Sequence, residues 1–307
     1  MPTVLTTPHR VPPVLAGRPD GRGTRLPDLN AADLTIVPGA YDCITARLVE
    51  QAGFNALYVT GSGISMSALG APDVSLMSFA EVLDRVKRIC DAVEIPVIAD
   101  ADTGYGGPLN VIRTAREFER AGVAAIQLED QAWPKKCGHE LDRRVVDEAE
   151  MTGRIRAAAD ARLDPSFRIV ARTDARTSFG LSAAIDRANL YVEAGADIVF
   201  VESPESEEEL KTIASGVRAP LLANMVEGGR TPIVPANWLK EIGFRFVIYP
   251  NALTRALSFA GAELLAVLAR DGTTAAKRSA MLDHGQLWAL FGYEGWTNIE
   301  KQYMGAE

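Results

Sequence analysis

One phrase returns four times along this chain, as EQAGFNALYV, ERAGVAAIQL, VEAGADIVFV and KEIGFRFVIY. Each begins as the end of a helix, passes through a glycine and continues into an apolar run. Glycine accepts the left-handed backbone on which helices commonly stop. Gly53, Gly122, Gly195 and Gly243 therefore mark places where a helix ends and a strand begins almost at once. Strands and helices that alternate in this way build a parallel sheet covered by helices.

Eight strands are predicted after Asn30: Thr35 to Gly39, Ala56 to Thr60, Val97 to Asp102, Ala125 to Glu129, Arg168 to Arg172, Ile198 to Glu202, Pro220 to Asn224 and Phe246 to Tyr249. The stretches between them carry helical spacing, as in Val82, Val86, Ile89 and Val93. Ser78 with Glu81 predicts a capping box at one helix start, and Ser206 with Glu209 predicts another. Eight such units in 307 residues suit a single (β/α)8 TIM barrel. An open doubly wound sheet is the alternative, but no GxGxxG follows the first strand to support it. No composition break divides the chain, so residues 31–307 read as one barrel domain with C-terminal helices. Residues 1–30 show neither period and read as a mobile or surface-draped extension, with an arm reaching a neighbouring subunit as the alternative.

Composition removes several classes of partner. Thirty-two basic residues against 40 acidic ones leave a net charge of -8, which does not suit a nucleic-acid backbone. Cys43, Cys90 and Cys137 are too few for a disulfide framework and have no CxxC spacing, so a reducing cytoplasm is expected. Apolar runs such as Ala262 to Ala269 are short of a membrane span, and the start of the chain lacks the apolar centre of a signal peptide. No membrane association is expected.

In a barrel of this kind the chemistry sits at the C-terminal ends of the strands. Those ends carry Asp42, Thr60-Gly61-Ser62, Asp100 and Asp102, Glu129-Asp130, Arg172 and Asp174, Glu202, Asn224 and Asn251. Strand alternation would aim Asp100 and Asp102 into the mouth together, with Glu129 on the next strand. Converging carboxylates repel one another unless a cation joins them, and hard oxygen ligands suit Mg²⁺. The plainer reading of the DAD sequence is a strand end with helix-capping aspartates. Arg172 and Arg255 are either carboxylate clamps or surface ion pairs.

The segment DQAWPKKCGHELDRR after Glu129 is too long for a minimal turn and is expected to be a lid. Its lysines should favour the thiolate of Cys137. Cys137 and His139 lack further soft ligands for zinc. Cys43 and Cys90, in apolar helical settings, read as packed thiols.

DADTGYGG (Asp100 to Gly107) followed by LEDQAWPKKCGH (Leu128 to His139) closely resembles the isocitrate lyase and phosphoenolpyruvate mutase superfamily. The likeness runs from about Val37 to Tyr303 and includes VPGAYDCITARL, LYVTGSG, LGAPD, ARTDAR, NMVEGGRTP and YPNALTRA. It implies a (β/α)8 barrel whose C-terminal helix is swapped between subunits, a homotetramer, and Mg²⁺, with Mn²⁺ as a substitute, holding a small α-oxycarboxylate. Matched position by position, Asp100 and Asp102 become the metal residues, and Asp73 and Glu129 complete the acidic shell partly through water. Thr60, Gly61 and Ser62 match a loop that binds carboxylate through backbone amides. Tyr58 matches the lyases' base and Cys137 their general acid, with Gly138 beside it. Arg172, Glu202 and Asn224 match further substrate contacts, and Arg255 matches a substrate arginine of methylisocitrate lyases.

The resemblance then divides. Asp283-His284 stands where the methylisocitrate lyases have Thr-Arg, and Met225-Val226 follows Asn224 where a hydrophobe and Thr would follow it. NMVEGGRTP instead resembles the dimethylmalate lyase, oxaloacetate hydrolase and carboxyphosphonoenolpyruvate mutase branch. The implied activity is Mg²⁺-dependent carbon–carbon cleavage of a 2-hydroxy di- or tricarboxylate, of 2-methylisocitrate or alkylmalate type, to an α-keto acid such as pyruvate and a carboxylic acid. Phosphonomutase or oxaloacetate hydrolase or decarboxylase chemistry on the same site is the first alternative. A non-catalytic small-molecule-binding barrel is the second, and it would be marked by loss of a metal aspartate or of the loop cysteine. Trp288, Phe291, Tyr293 and Trp296 give the C-terminal segment an aromatic surface that is expected to meet another subunit.

Overall fold

The helix–glycine–strand phrases turn out as predicted, with φ of 84°, 93°, 110° and 109° at Gly53, Gly122, Gly195 and Gly243. In a computed structural model that describes residues 12–16, 25–138, 140 and 142–304, the strands are β1 (Thr35–Ala40), β2 (Leu57–Val59), β3 (Val97–Asp100), β4 (Ala125–Glu129), β5 (Arg168–Thr173), β6 (Ile198–Val201), β7 (Leu222–Asn224) and β8 (Phe246–Tyr249). All lie parallel in the order β6-β5-β4-β3-β2-β1-β8-β7. A parallel bridge between Val199 and Leu221 joins the two ends, which closes the sheet into a (β/α)8 barrel. The open-sheet alternative is thereby excluded.

Period-two alternation divides each strand. Val37, Tyr58, Ile98, Ala125, Val170, Ile198, Phe200, Leu222, Phe246 and Ile248 pack together inside the barrel. The alternate positions, such as Val59, Ala99, Ile126 and Ile169, pack outward against helices. On the Phe79–Ala92 helix Val82, Val86 and Ile89 are buried at the predicted spacing, and Val93 is buried at its C-cap. That helix carries the complete Ser78–Glu81 capping box. At the Glu207–Gly216 helix only half of the expected box forms. Ser206 accepts from the Glu209 amide, while the Glu209 carboxylate accepts from the Glu205 amide and pairs with Arg176. Two arginine donors outcompete the local return bond.

Most of the 1–30 extension lies outside the described residues. Within it Pro13–Ala16 forms a helical turn, and Leu26 and Leu29 pack against the residues of the barrel interior. After β8 the Ala252–Asp271 helix leaves the barrel with no buried residue, followed by the His284–Leu290 and Tyr293–Met304 helices. The first of these is 20 residues long and apolar enough to span a membrane by length and composition, which corrects the expectation drawn from shorter apolar runs. Apolar residues interrupted by single polar ones had hidden its length.

Candidate active site

The alternation that fills the barrel also loads its mouth. Two residues beyond inward Ile98 comes Asp100, beyond Ala125 come Gln127 and Glu129, beyond Val170 comes Arg172, beyond Phe200 comes Glu202, and beyond Leu222 comes Asn224. Asp102 arrives by another route. β3 ends at Asp100, and Asp102 sits in the left-handed region at φ 49° with its amide donating to Asp100 Oδ1 at 3.1 Å. The two aspartates therefore share the mouth through a turn, and the strand alternation expected to place them stops two residues too early. Such backbone is costly for a non-glycine residue and is characteristic of functional sites.

On one side of the mouth the acids gather around a lysine. Lys135 Nζ lies 2.7 Å from Asp73 Oδ1 and 2.6 Å from Asp102 Oδ1, with only 3% of its side chain exposed. Burial opposes its charge, yet Asp102, Glu129, Asp100 and Asp73 together hold its pKa well above the usual lysine value. Burial pushes Asp102 up to about 6, against the attraction of Lys135 and with the repulsion of Asp100 and Asp73. Glu129 is pushed well above the usual carboxylate range by burial, opposed by Arg172 and Lys135. Gly61 stands close by: a Cβ there would lie 3.1 Å from Asp100 Oδ2 and 3.5 Å from Asp102 Oδ1. Gly61 opens the Gly61–Leu69 helix, whose N-cap Thr60 uses its hydroxyl to accept from the Gly63 amide. The amides of Gly61 and Ser62 are thus at a helix N-terminus, where anions bind.

On the other side Arg172 is shared among acids, at 3.1 Å from Glu129, 2.8 Å from Asp174 and 3.4 Å from Glu202. Asn224 Nδ2 donates to Glu202 Oε2 at 3.1 Å. Gly138 lies against this pair, for a Cβ on it would fall on the Arg172 guanidinium and 2.6 Å from Glu202 Oε2. Ser203 Oγ donates to the Gly138 carbonyl at 3.0 Å, which fixes the loop there. Cys137 is the preceding residue, so the thiol is carried on a loop seated over Arg172 and Glu202. The segment is ordered from its base as well: Gln131 pairs with Val145, and the Gln131 amide makes two bonds of 2.9 Å to the backbone of Lys136.

The structure thus joins Asp73, Asp100, Asp102, Glu129, Gly61, Arg172, Glu202, Asn224 and Gly138 in one network, with Thr60, Ser62 and Cys137 beside it in sequence. Tyr58 joins through Gln127, to which its hydroxyl donates at 3.0 Å. Burial, with Asp100 next, pushes that phenol well above its usual pKa, so the surroundings oppose the base role that the resemblance assigns to Tyr58. Arg255 stands apart. It pairs with Glu227 at 3.1 Å, both side chains nearly half exposed, which is the surface-pair reading. His139 lies outside the described residues. Lys135 also departs from expectation, since its charge is committed to Asp73 and Asp102. Cys90 is buried as predicted, and Cys43 is half-buried with Sγ donating to the Arg88 carbonyl at 3.5 Å.

Asp174 is among the strand-end residues named from the sequence, whereas Gln127, Lys135, Arg143 and Ser203 are not singled out there as site residues. Gln127 shares the inward register of Glu129 and was legible on that ground; the others depend on how a loop folds back. Glu129 Oε1, Asn224 Oδ1 and Arg172 Nε are buried without a hydrogen-bond partner. Oxygen donors left over among carboxylates fit a hard divalent cation. Among the described residues no three acids close on one point as a ready ligand set.

The comparisons agree with this geometry. The family described as phosphoenolpyruvate phosphomutase matches residues 26–268, and the chain belongs to it, within the isocitrate lyase and phosphoenolpyruvate mutase superfamily. The chain is 47% identical to 2,3-dimethylmalate lyase of Eubacterium barkeri over 90% of its own length and 95% of that protein's. It is 43% identical to 2-methylisocitrate lyase of Halalkalibacterium halodurans, covering 86% of this chain and 87% of that one. A solved 2,3-dimethylmalate lyase superposes with a TM-score of 0.85 at 36% identity, over 90% of this chain and 93% of that one. Phosphonopyruvate hydrolase in complex with oxalate and Mg²⁺ superposes at 0.82 with 30% identity, over 90% and 96%. The chain is a carbon–carbon lyase of this superfamily.

Proposed function

We propose that the chain is a Mg²⁺-dependent lyase that cleaves the C2–C3 bond of a 2-hydroxy dicarboxylate of alkylmalate type, giving an α-keto acid such as pyruvate and a carboxylic acid. The observation that carries this reading is the loop bearing Cys137, seated by Gly138 on the Arg172–Glu202 pair beside the cluster of Asp100, Asp102 and Glu129. It sets a thiol next to both a carboxylate clamp and an acid cluster suited to a hard cation. The alkylmalate class is favoured because Arg255, the arginine that would greet a third carboxylate, is already neutralised by Glu227. The relative that shares 47% identity is named for such a substrate.

Asp100 and Asp102, with Asp73 and Glu129 behind them, would hold Mg²⁺. The ion, when bound, lowers the pKa of an oxygen beside it and neutralises charge that builds up during cleavage. The protein's own groups do the rest. The Gly61 and Ser62 amides and Arg172 bind and orient the carboxylates and stabilise developing negative charge. Tyr58, the base that the resemblance implies, would take the hydroxyl proton only as its phenolate, a form that burial beside Asp100 makes costly. As the C2–C3 bond breaks, its electron pair stays with C3 as a carboxylate enolate. The Cys137 thiol gives C3 its proton. The loop keeps water from the enolate.

Assembly completes the proposal. The Ala252–Asp271 helix exposes Leu257, Phe259, Leu265 and Leu268. A homotetramer in which a second copy covers this helix would bury them. Three cysteines outside any disulfide suit a reducing cytoplasm. The deciding experiment is turnover of 2,3-dimethylmalate, 2-methylisocitrate, isocitrate, oxaloacetate and phosphonopyruvate with Mg²⁺, read by mass spectrometry. Cleavage of the alkylmalate above the others is expected; a phosphonate or oxaloacetate as the best substrate would overturn the reading.

A further inference from the structure

The loop segment that carries Cys137 also holds Arg143, which reaches Arg172 through Asp174. Arg143 has a fully buried guanidinium that meets Asp174 Oδ1 with one amino group, while the other reaches Thr177 Oγ1 at 2.5 Å. Its carbonyl accepts from Ser178 Oγ at 3.2 Å. Asp174, itself fully buried, receives Arg172 Nη2 on the same Oδ1 at 2.8 Å, and its Oδ2 has no hydrogen-bond partner. The backbone of Asp174 cannot follow a moving side chain, because its amide donates to Asp130 Oδ1 at 2.8 Å. Asp130 is held in turn by Thr173 Oγ1 at 2.7 Å and Tyr191 Oη at 2.8 Å.

One carboxylate thus stands between two guanidinium groups, and only one of them faces the mouth. We propose that Arg143 is a positioning residue: through Asp174 it sets the guanidinium of Arg172, the group on which the reading above places a substrate carboxylate. The physical reason is charge balance in a dry place. Arg172 is pulled by Glu129 at 3.1 Å, Asp174 at 2.8 Å and Glu202 at 3.4 Å. Arg143 takes up much of the charge of Asp174, which leaves Arg172 able to hold Glu129 and Glu202 and to face a ligand. Without Arg143, Asp174 becomes a buried anion with Arg172 as its nearest cation, and a stranded buried charge draws the available partner strongly. Arg172 is then expected to collapse onto Asp174. Because Arg143 and Cys137 belong to one segment, seating the segment and aiming Arg172 are a single event.

The proposal rests on the carboxylate-lyase reading of the site, and its test separates the two. The readout is the dissociation constant of oxalate with Mg²⁺ present, measured by calorimetry on the full chain. Arg143→Met is expected to weaken oxalate binding by about tenfold or more, since charged hydrogen bonds are of that strength. Arg143→Met/Asp174→Asn removes the stranded anion and is expected to recover most of the loss, within about threefold of the wild type. A residue that only staples the loop would give no such recovery. Arg143→Met with unchanged affinity, or a double variant no tighter than the single, overturns the proposal. If Arg143→Met does not fold, Arg143→Gln keeps a polar group for Thr177 but loses the charge. It is expected to weaken oxalate by about tenfold with Mg²⁺ affinity unchanged, and wild-type oxalate binding would overturn the proposal equally. A wild-type chain that binds no oxalate with Mg²⁺ would overturn the site reading itself, and the proposal with it.

Discussion

At the barrel mouth Asp100, Asp102, Glu129, Lys135, Arg172, Asp174 and Glu202 are all buried, whereas along the Ala252–Asp271 helix no residue is, apolar ones included. The mouth has its counter-charges within the chain: Lys135 answers Asp73 and Asp102, and Arg172 answers Glu129 and Asp174. The C-terminal arm has no such internal answer for Leu257, Phe259 and Leu265. Some aromatic surface beyond it is satisfied locally, as Trp288 packs edge-on to Tyr293 at 4.4 Å and donates to His284. Asp73, Asp100, Asp102, Glu129, Asp174 and Glu202 still outnumber Lys135, Arg143 and Arg172, a surplus of negative charge that suits a cation held inside one subunit. A region with apolar surface left over points to a partner.

The sharpest way to break this contrast is to remove one acid from the mouth. Asp100→Ala is expected to abolish turnover, as exhaustive chelation should, while circular dichroism and the melting temperature stay close to wild type. Turnover that survives chelation would sink the metal assignment. Cys137→Ser comes next in size. A serine hydroxyl is a far weaker acid than a thiol, so kcat should fall by about 10²- to 10⁴-fold, ~3 to 5 kcal/mol of barrier, with little change in KM. More than about a tenth of wild-type turnover retained would remove Cys137 from the acid role.

The arm is tested by charge. If the proposed homotetramer forms through this helix, Phe259→Glu/Leu265→Glu should convert it to a smaller species in light scattering without changing the circular dichroism of the barrel. An oligomer of unchanged mass would mean that the exposed helix is not an interface. The smallest effect expected is thermodynamic and returns to the mouth. Asp102 has a folded-state pKa near 6, above the usual 3.8 for the group. The folded state therefore holds that proton more tightly, and metal-free stability falls as pH rises from about 4 through 6. Asp102→Asn cannot ionise, so the metal-free variant should melt a few degrees above wild type at pH 7.5, with the gap shrinking as pH falls below 6. A gap independent of pH would show that Asp102 is not the group that titrates.

How much of this was legible beforehand follows the physics of each element. Turn and strand positions were readable because their causes are local: a left-handed glycine at Gly53, Gly122, Gly195 or Gly243 stops a helix whatever surrounds it. Strand-end positions are readable because apolar runs mark where strands stop, which puts Glu129, Arg172, Glu202 and Asn224 at the mouth. Asp102 was placed correctly for an incomplete reason, since a left-handed turn and not the pleat brings it in. The loop was recognised by its length, but not where its charges would go. By sequence Lys135 reads as a neighbour for the Cys137 thiol, and in the structure it meets Asp73 from a segment 62 residues away.

By itself, then, the sequence determined the barrel, the membership of the acid ring and the family. Those are short-range or periodic properties, written in adjacent residues and in period two. Only the tertiary structure decided which cation answers which acid, that Arg255 is occupied by Glu227, that Tyr58 is held by Gln127, and that Arg143 and Arg172 share Asp174. Ion pairing in a buried site depends on distances between strands and loops far apart in the chain, and on how little water lies between them. No local pattern carries those distances.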